Sequence, residues 1–156
     1  MATIDCDLVA GLPPLDAAGV LSLGTPMSLS AGAVLFGLGS EADSLYVIRR
    51  GRINLTLPLH VGGREEDVLI EERTPGQTVG WSALIPPHRF TLTATAPLPT
   101  EVTVFRRTTL LEYLQGRPDV GYALALNVAA LVGQRLQVFQ AMWLREMQRV
   151  VNHAHA

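Results

Sequence analysis

From Thr25 to Arg107 the chain is cut into short runs of Val, Leu, Ile and Thr by glycine and proline, and after Asp119 it holds no proline at all. Short β-type runs bounded by turn residues do not support long helices, and an apolar pattern of three-four spacing does not support strands. The change of texture therefore confines the chain to an antiparallel β-unit followed by helix. Ser44–Ile48, Ile53–Leu57 and Thr91–Thr95 read as strands, the latter two alternating apolar with polar residues. Gly62-Gly63, between Leu55–His60 and Val68–Glu71, reads as a hairpin loop. Thr95–Pro99 reads as a loop leading into a strand at Glu101–Phe105.

The flanks are helical. A lead-in over residues 1–24 centres on Leu15–Leu23 and closes at Gly24, with Pro26 just beyond. Thr108 is placed to cap a helix through Leu114, which Gly116 and Pro118 close. Asp119 opens the last, long helix. The expected organisation is a lead-in at 1–24, a β-barrel at 25–107, C-terminal helices at 108–152 and a tail at 153–156. On the long helix, Tyr122, Ala125, Ala129, Val132, Leu136, Phe139, Trp143 and Val150 follow a three-four repeat broken by Glu146. A second apolar row runs through Leu124, Val128, Leu131, Val138 and Met142. Two stripes need two surfaces. The bland alternative sinks the helix into its own core. A helix of ~30 residues spans about 45 Å, more than a small β-domain is wide. A homodimer is therefore expected, with Val132, Leu136, Phe139 and Trp143 at the interface.

Composition narrows function. Of 156 residues, 48% are hydrophobic and only 17% charged, which excludes disorder and leaves apolar surface for a partner. The net charge of −2 supplies no global field for nucleic acid or anionic lipid. All 12 basic residues are arginine and form no single block. A lone Cys6 excludes an internal disulfide and a cysteine-built zinc site. The start, with Asp5 and Asp7 and no basic residue, does not read as a secretory signal. The longest apolar run, Gly121–Gly133, is broken by Asn127 and falls short of the ~20 residues that a membrane span needs. The expectation is a cytoplasmic protein with no membrane contact.

Catalytic patterns do not emerge. His60 and His88 stand alone in loop contexts and His153 and His155 sit on the tail, all four expected in solvent and none a metal or haem ligand. Glu65-Glu66-Asp67 and Glu71-Glu72 read as the solvated face of a hairpin. There is no Gly-x-Ser-x-Gly elbow and no Walker lysine, so no enzyme is expected.

The glycine order is specific. Gly32-x2-Leu35-x3-Gly39-x5-Leu45-Tyr46-x-Ile48-x2-Gly51 is followed by Pro75-Gly76-x3-Gly80-x2-Ala83-Leu84. This closely resembles the cyclic-nucleotide-binding domain of cAMP receptor-type regulators, kinase regulatory subunits and gated channels, over residues 15 to 145. The resemblance implies a mainly β fold, an eight-stranded jelly-roll barrel with flanking helices, its last helix serving dimerisation. Arg135-Leu136-Gln137-Val138 is similar in wording to that helix in the cAMP receptor proteins. In the bacterial regulators a helix-turn-helix follows this helix; with only a few residues after it here, direct DNA binding is not expected.

A phosphate cradle is legible at Gly80 without the family. A strand ends there and a short helical turn follows at Ser82–Ile85, whose unpaired amides would face an anion. Gly80 permits close backbone approach and Ser82 adds a hydroxyl. The candidate ligand residues are Gly80, Trp81, Ser82, Ala83, Leu84, Arg89, Phe90 and Thr91.

Departures from the resemblance weigh against cyclic AMP in its usual pose. The glutamate that follows the glycine in the family, and accepts the ribose hydroxyl, is Trp81 here. The phosphate-neutralising arginine nine residues on is Phe90, with Arg89 just before it as the one candidate substitute. The Thr-Ser pair that reads adenine would be Phe139-Gln140. Losing two charge-assisted hydrogen bonds forfeits roughly 1.5–3 kcal/mol apiece, or about two to four decades of affinity. No cofactor is certain. Two readings remain: a sensor retuned to another small molecule or nucleotide, or a non-ligand-binding dimeric module that acts on an effector protein through its surface.

Overall fold

The computed structural model describes residues 6–155; the start of the lead-in, with Asp5, and Ala156 lie outside the described residues. Eight strands form two antiparallel four-stranded sheets. They are β1 (Thr25–Leu29), β2 (Val34–Phe36), β3 (Ser44–Arg50), β4 (Ile53–Val61), β5 (Arg64–Arg73), β6 (Thr78–Val79), β7 (Thr93–Thr95) and β8 (Thr100–Arg106). One sheet has the order β1-β8-β3-β6 and the other β2-β7-β4-β5. Three helices flank them: α1 (Pro14–Leu21), α2 (Arg107–Gly116) and α3 (Pro118–Ala154).

β3 is buried on every residue from Ser44 to Ile48. Tyr46 stacks on Phe36 of the other sheet, so the alternate residues Leu45 and Val47 point to the opposite face, where they too are buried. The first sheet is thus buried on both faces along β3. β4 and β5 extend as a hairpin turned by Gly62-Gly63, with a register shift between Leu55 and Thr56. Buried Ile53 and Leu55 pair with Arg73 and Glu71. Directly opposed residues share a face, so an arginine and a glutamate enter the barrel mouth beside two apolar side chains.

Several boundaries differ from the sequence reading, each for a visible reason. Thr91 and Leu92 do not extend β7, because Phe90 pairs with the loop opposite: its N–H donates to Ser40 O and its carbonyl accepts from Gly39 N–H. Thr108 is not a cap. The Arg107 N–H donates to Asp43 O and its guanidinium to Ala42 O, so α2 starts where β8 ends and Thr108 falls inside its first turn. Pro118 opens α3 instead of closing α2, since its fixed φ suits the first helical position. α1 ends at Leu21, and a 3-10 turn at Asp7–Val9 precedes it. α3 runs 37 residues to Ala154, about 55 Å, so His153 lies in its last turn and not in a tail. His60 lies within β4 and not in a loop.

The lead-in is fastened to both layers. Asp7 accepts hydrogen bonds from the Thr78 N–H and hydroxyl, and Asn127 of α3 donates to the carbonyls of Leu8 and Ala10 at 2.9 Å each. Arg117 clasps Asp16 at 2.9 Å and Asp119 at 3.2 Å, joining α1 to the start of α3.

The two apolar rows of α3 part company. Val120, Leu124, Val128, Leu131 and Arg135 are buried against the chain's own domain, while Tyr122, Leu136, Trp143 and Val150 are exposed. Beyond Arg135 no residue of α3 is buried. No helix among the described residues is long and apolar enough to cross a membrane.

Candidate ligand site

β6 ends at Val79, Gly80 turns the backbone at φ +82°, and a 3-10 turn follows over Trp81–Leu84. The left-handed conformation at Gly80 is one that L side chains rarely adopt. Its neighbours are aromatic. A Cβ at Gly80 would meet Phe90 Cε1 at 3.2 Å and Tyr46 Cδ2 at 3.4 Å. Phe90 is only 5% exposed, and its ring lies 3.7 Å from that of Phe36 with the planes 10° apart. Phe36 in turn stacks on Tyr46 at 5.9 Å. Burial raises the Tyr46 phenol above its ordinary pKa, with Asp43 adding to the effect, so the ring stays neutral.

This aromatic stack lies beside the candidate residues Gly80 and Trp81. The space that remains at Gly80, Trp81, Ser82, Phe90 and Thr91 is ≈ 10 Å³. That is about the volume needed for one water, against the roughly 300 Å³ or more of a typical small-molecule pocket.

The other candidates sit apart from this cavity. Ala83 is buried, and Leu84 lines an apolar groove between α2 and α3 with Leu111, Leu114 and Leu124. The Arg89 guanidinium donates to Gly39 O at 3.1 Å on the exposed rim, beside a bridge to Glu41, and does not line the cavity. His88 is half-buried and not solvated: it holds φ +59°, and its Nδ1 lies 3.3 Å from Ser82 O. Of the four expected dimer residues, Leu136 and Trp143 are exposed, whereas Val132 and Phe139 are half-buried against the chain's own core.

Arg135, Glu71 and Arg73, none of them named as a site residue from sequence, form an ion cluster that reaches the cavity through Arg135. Arg135 lines the cavity from α3, and its Nε donates to Glu71 Oε1 at 3.2 Å. Arg73 Nε lies 3.3 Å from Glu71 Oε2, in ionic contact but off the line of a hydrogen bond, so both atoms are buried without a hydrogen-bond partner. The three side chains are 8–12% exposed. Burial lowers the Arg135 pKa, and Glu71 opposes the shift. Glu71 is therefore not part of a solvated acidic pair; only Glu72 is exposed. The signal was positional: Arg135 continues the buried row Val120-Leu124-Val128-Leu131.

A family model, the cyclic nucleotide-binding domain, matches residues 26–117. The chain belongs to this family. Among solved structures it resembles the N-terminal domain of a transcriptional regulator from Streptomyces coelicolor A3(2), at 27% identity and TM-score 0.68, over 82% of this chain and 89% of that one. It resembles the catabolite activator protein of Thermus thermophilus at 25% identity and TM-score 0.73, over 91% of this chain and 63% of that one. A cyclic nucleotide-binding domain from Methylobacillus flagellatus shares the fold at 19% identity and TM-score 0.67, over 91% and 74% of the two chains. Comparison with curated proteins gives no sequence match.

Proposed function

We propose that this chain is a dimeric regulatory module of the cyclic-nucleotide-binding fold whose ligand place is filled by its own side chains, and which acts on an effector protein through its surface. One observation carries the reading: ≈ 10 Å³ remains between Trp81, Phe90 and Arg135, where a nucleotide would have to sit. The stack of Phe90 and Tyr46 on either side of Phe36 supports it, because buried rings packed on one another inside a barrel are core. The exposed row Leu136, Trp143 and Val150 on an overhanging helix supports the dimer. Among the described residues no group of three or more His, Cys, Asp or Glu is placed to hold a metal, and the module is read as regulatory and not catalytic.

A thermal-shift panel of nucleotides tests the reading. A ligand present at a hundred times its Kd adds about 2.7 kcal/mol, which moves the melting point of a domain this size by several degrees. Cyclic AMP, cyclic GMP and cyclic dinucleotides are expected to leave the melt unmoved. A shift with any of them, abolished by Ser82→Ala, overturns the filled-site reading and restores the retuned sensor.

A further inference from the structure

The row by which α3 packs on its own domain does not end in an apolar residue. It ends in Arg135, and past that point no residue of the helix is buried. The contact that holds Arg135 is a carboxylate 64 residues away in sequence, Glu71 of β5, which faces the barrel mouth and is itself backed by Arg73. Two guanidiniums share one carboxylate, and Arg135 also lines the small cavity with Trp81 and Phe90, so the cluster adds a charged contact where the buried row of α3 ends, one turn before the half-buried Phe139. A buried ion pair is a weak source of net stability, but removing one partner is strongly destabilising, because it strands the other charge. It therefore acts locally and by position more than by strength.

We propose that Glu71 is a built-in counter-ion which latches α3 to the barrel through Arg135, setting the helix's departure from the domain without any bound ligand. The inference rests on the filled-site reading and extends it: the chain supplies its own anion at the barrel mouth, as it supplies its own rings. The latch fixes residues 131–139, and through them the outward row carried by Leu136 and Trp143.

Hydrogen exchange on the full-length chain tests this, with amides 131–139 of α3 compared against those of β3 and β8. Glu71→Gln keeps the shape and removes the charge; it is expected to speed exchange over 131–139 by about tenfold or more while the barrel strands hold their protection. Glu71→Arg combined with Arg135→Glu restores a pair in reversed sense and is expected to recover protection that Arg135→Glu alone loses. Unchanged exchange in Glu71→Gln would overturn the latch. So would equal loss across β3 and β8, or failure of the reversed pair to recover what the single variant loses, since either makes the cluster a general strut. The nucleotide panel on the unaltered chain is a separate readout: a ligand found there refutes the filled site, whereas the exchange data refute the latch.

Discussion

Phe90 brings an uncharged ring to the candidate site, packed 3.7 Å from that of Phe36. Phe90→Ala is expected to cost about 3–5 kcal/mol, the usual range for deleting a buried aromatic ring, measured by urea unfolding with an unchanged m-value. A loss below about 1 kcal/mol would mean that the ring is not core. Cys6 makes a second prediction at this scale. Burial raises its thiol pKa above the ordinary value of 9.0, against hydrogen bonds from the Leu8 and Val9 amides that lower it. The neutral thiol is favoured in the folded chain, so this contribution is intact below the ordinary thiol pKa and is lost as pH rises through it towards the folded value. A disulfide reagent at pH 8 should label the native chain slowly and the urea-unfolded chain at once. Rapid native labelling would contradict the burial. Trp81 and Phe90 were legible in the sequence as residues out of keeping with a nucleotide site. The partnership of Glu71 and Arg135 was not, because neither a strand's facing nor a helix's last inward turn is marked by residue type when both positions are charged.

Among the elements, α3 carries both faces of the account. Its buried row binds the first half to the domain, and its exposed row leaves Leu136 68% and Trp143 60% accessible. Periodicity revealed the two rows; which of them the chain's own domain would bury depended on how α3 packs against the 3-10 turns and α2. β7 shows the opposite limit. Thr91–Thr95 alternates like a strand, yet Phe90 is drawn into pairing with Ser40 and Gly39, and the strand starts only at Thr93. Local pattern cannot foresee a loop that competes for the same backbone groups. The dimer reading predicts that Leu136→Glu with Phe139→Glu yields monomers by light scattering. Two carboxylates in an apolar helix pair would strongly disfavour association. Phe139 is half-buried on its own domain, so Leu136→Glu alone is the cleaner variant, expected to dissociate the dimer with the melting point of the barrel strands unchanged. A native chain that scatters as a compact monomer at micromolar concentration would remove the dimer.

At the scale of the whole molecule, two four-stranded sheets keep the family's architecture, and in the filled-site proposal the chain's own side chains take the place of a ligand. An aromatic stack lies on the Gly80 side, and a glutamate is held between two arginines on the α3 side. The fold was legible because its glycines fall at turns that require them, as at Gly39, Gly51, Gly76 and Gly80, all with positive φ. The filling was legible only in part, since volume is a property of packed side chains and not of any one residue. Calorimetric titration of cyclic AMP into the unaltered chain tests the central claim most directly. No saturable heat is expected at ligand concentrations up to about 1 mM, so binding is weaker than about −4.1 kcal/mol; a stoichiometric isotherm with a micromolar or tighter Kd would contradict the filled site.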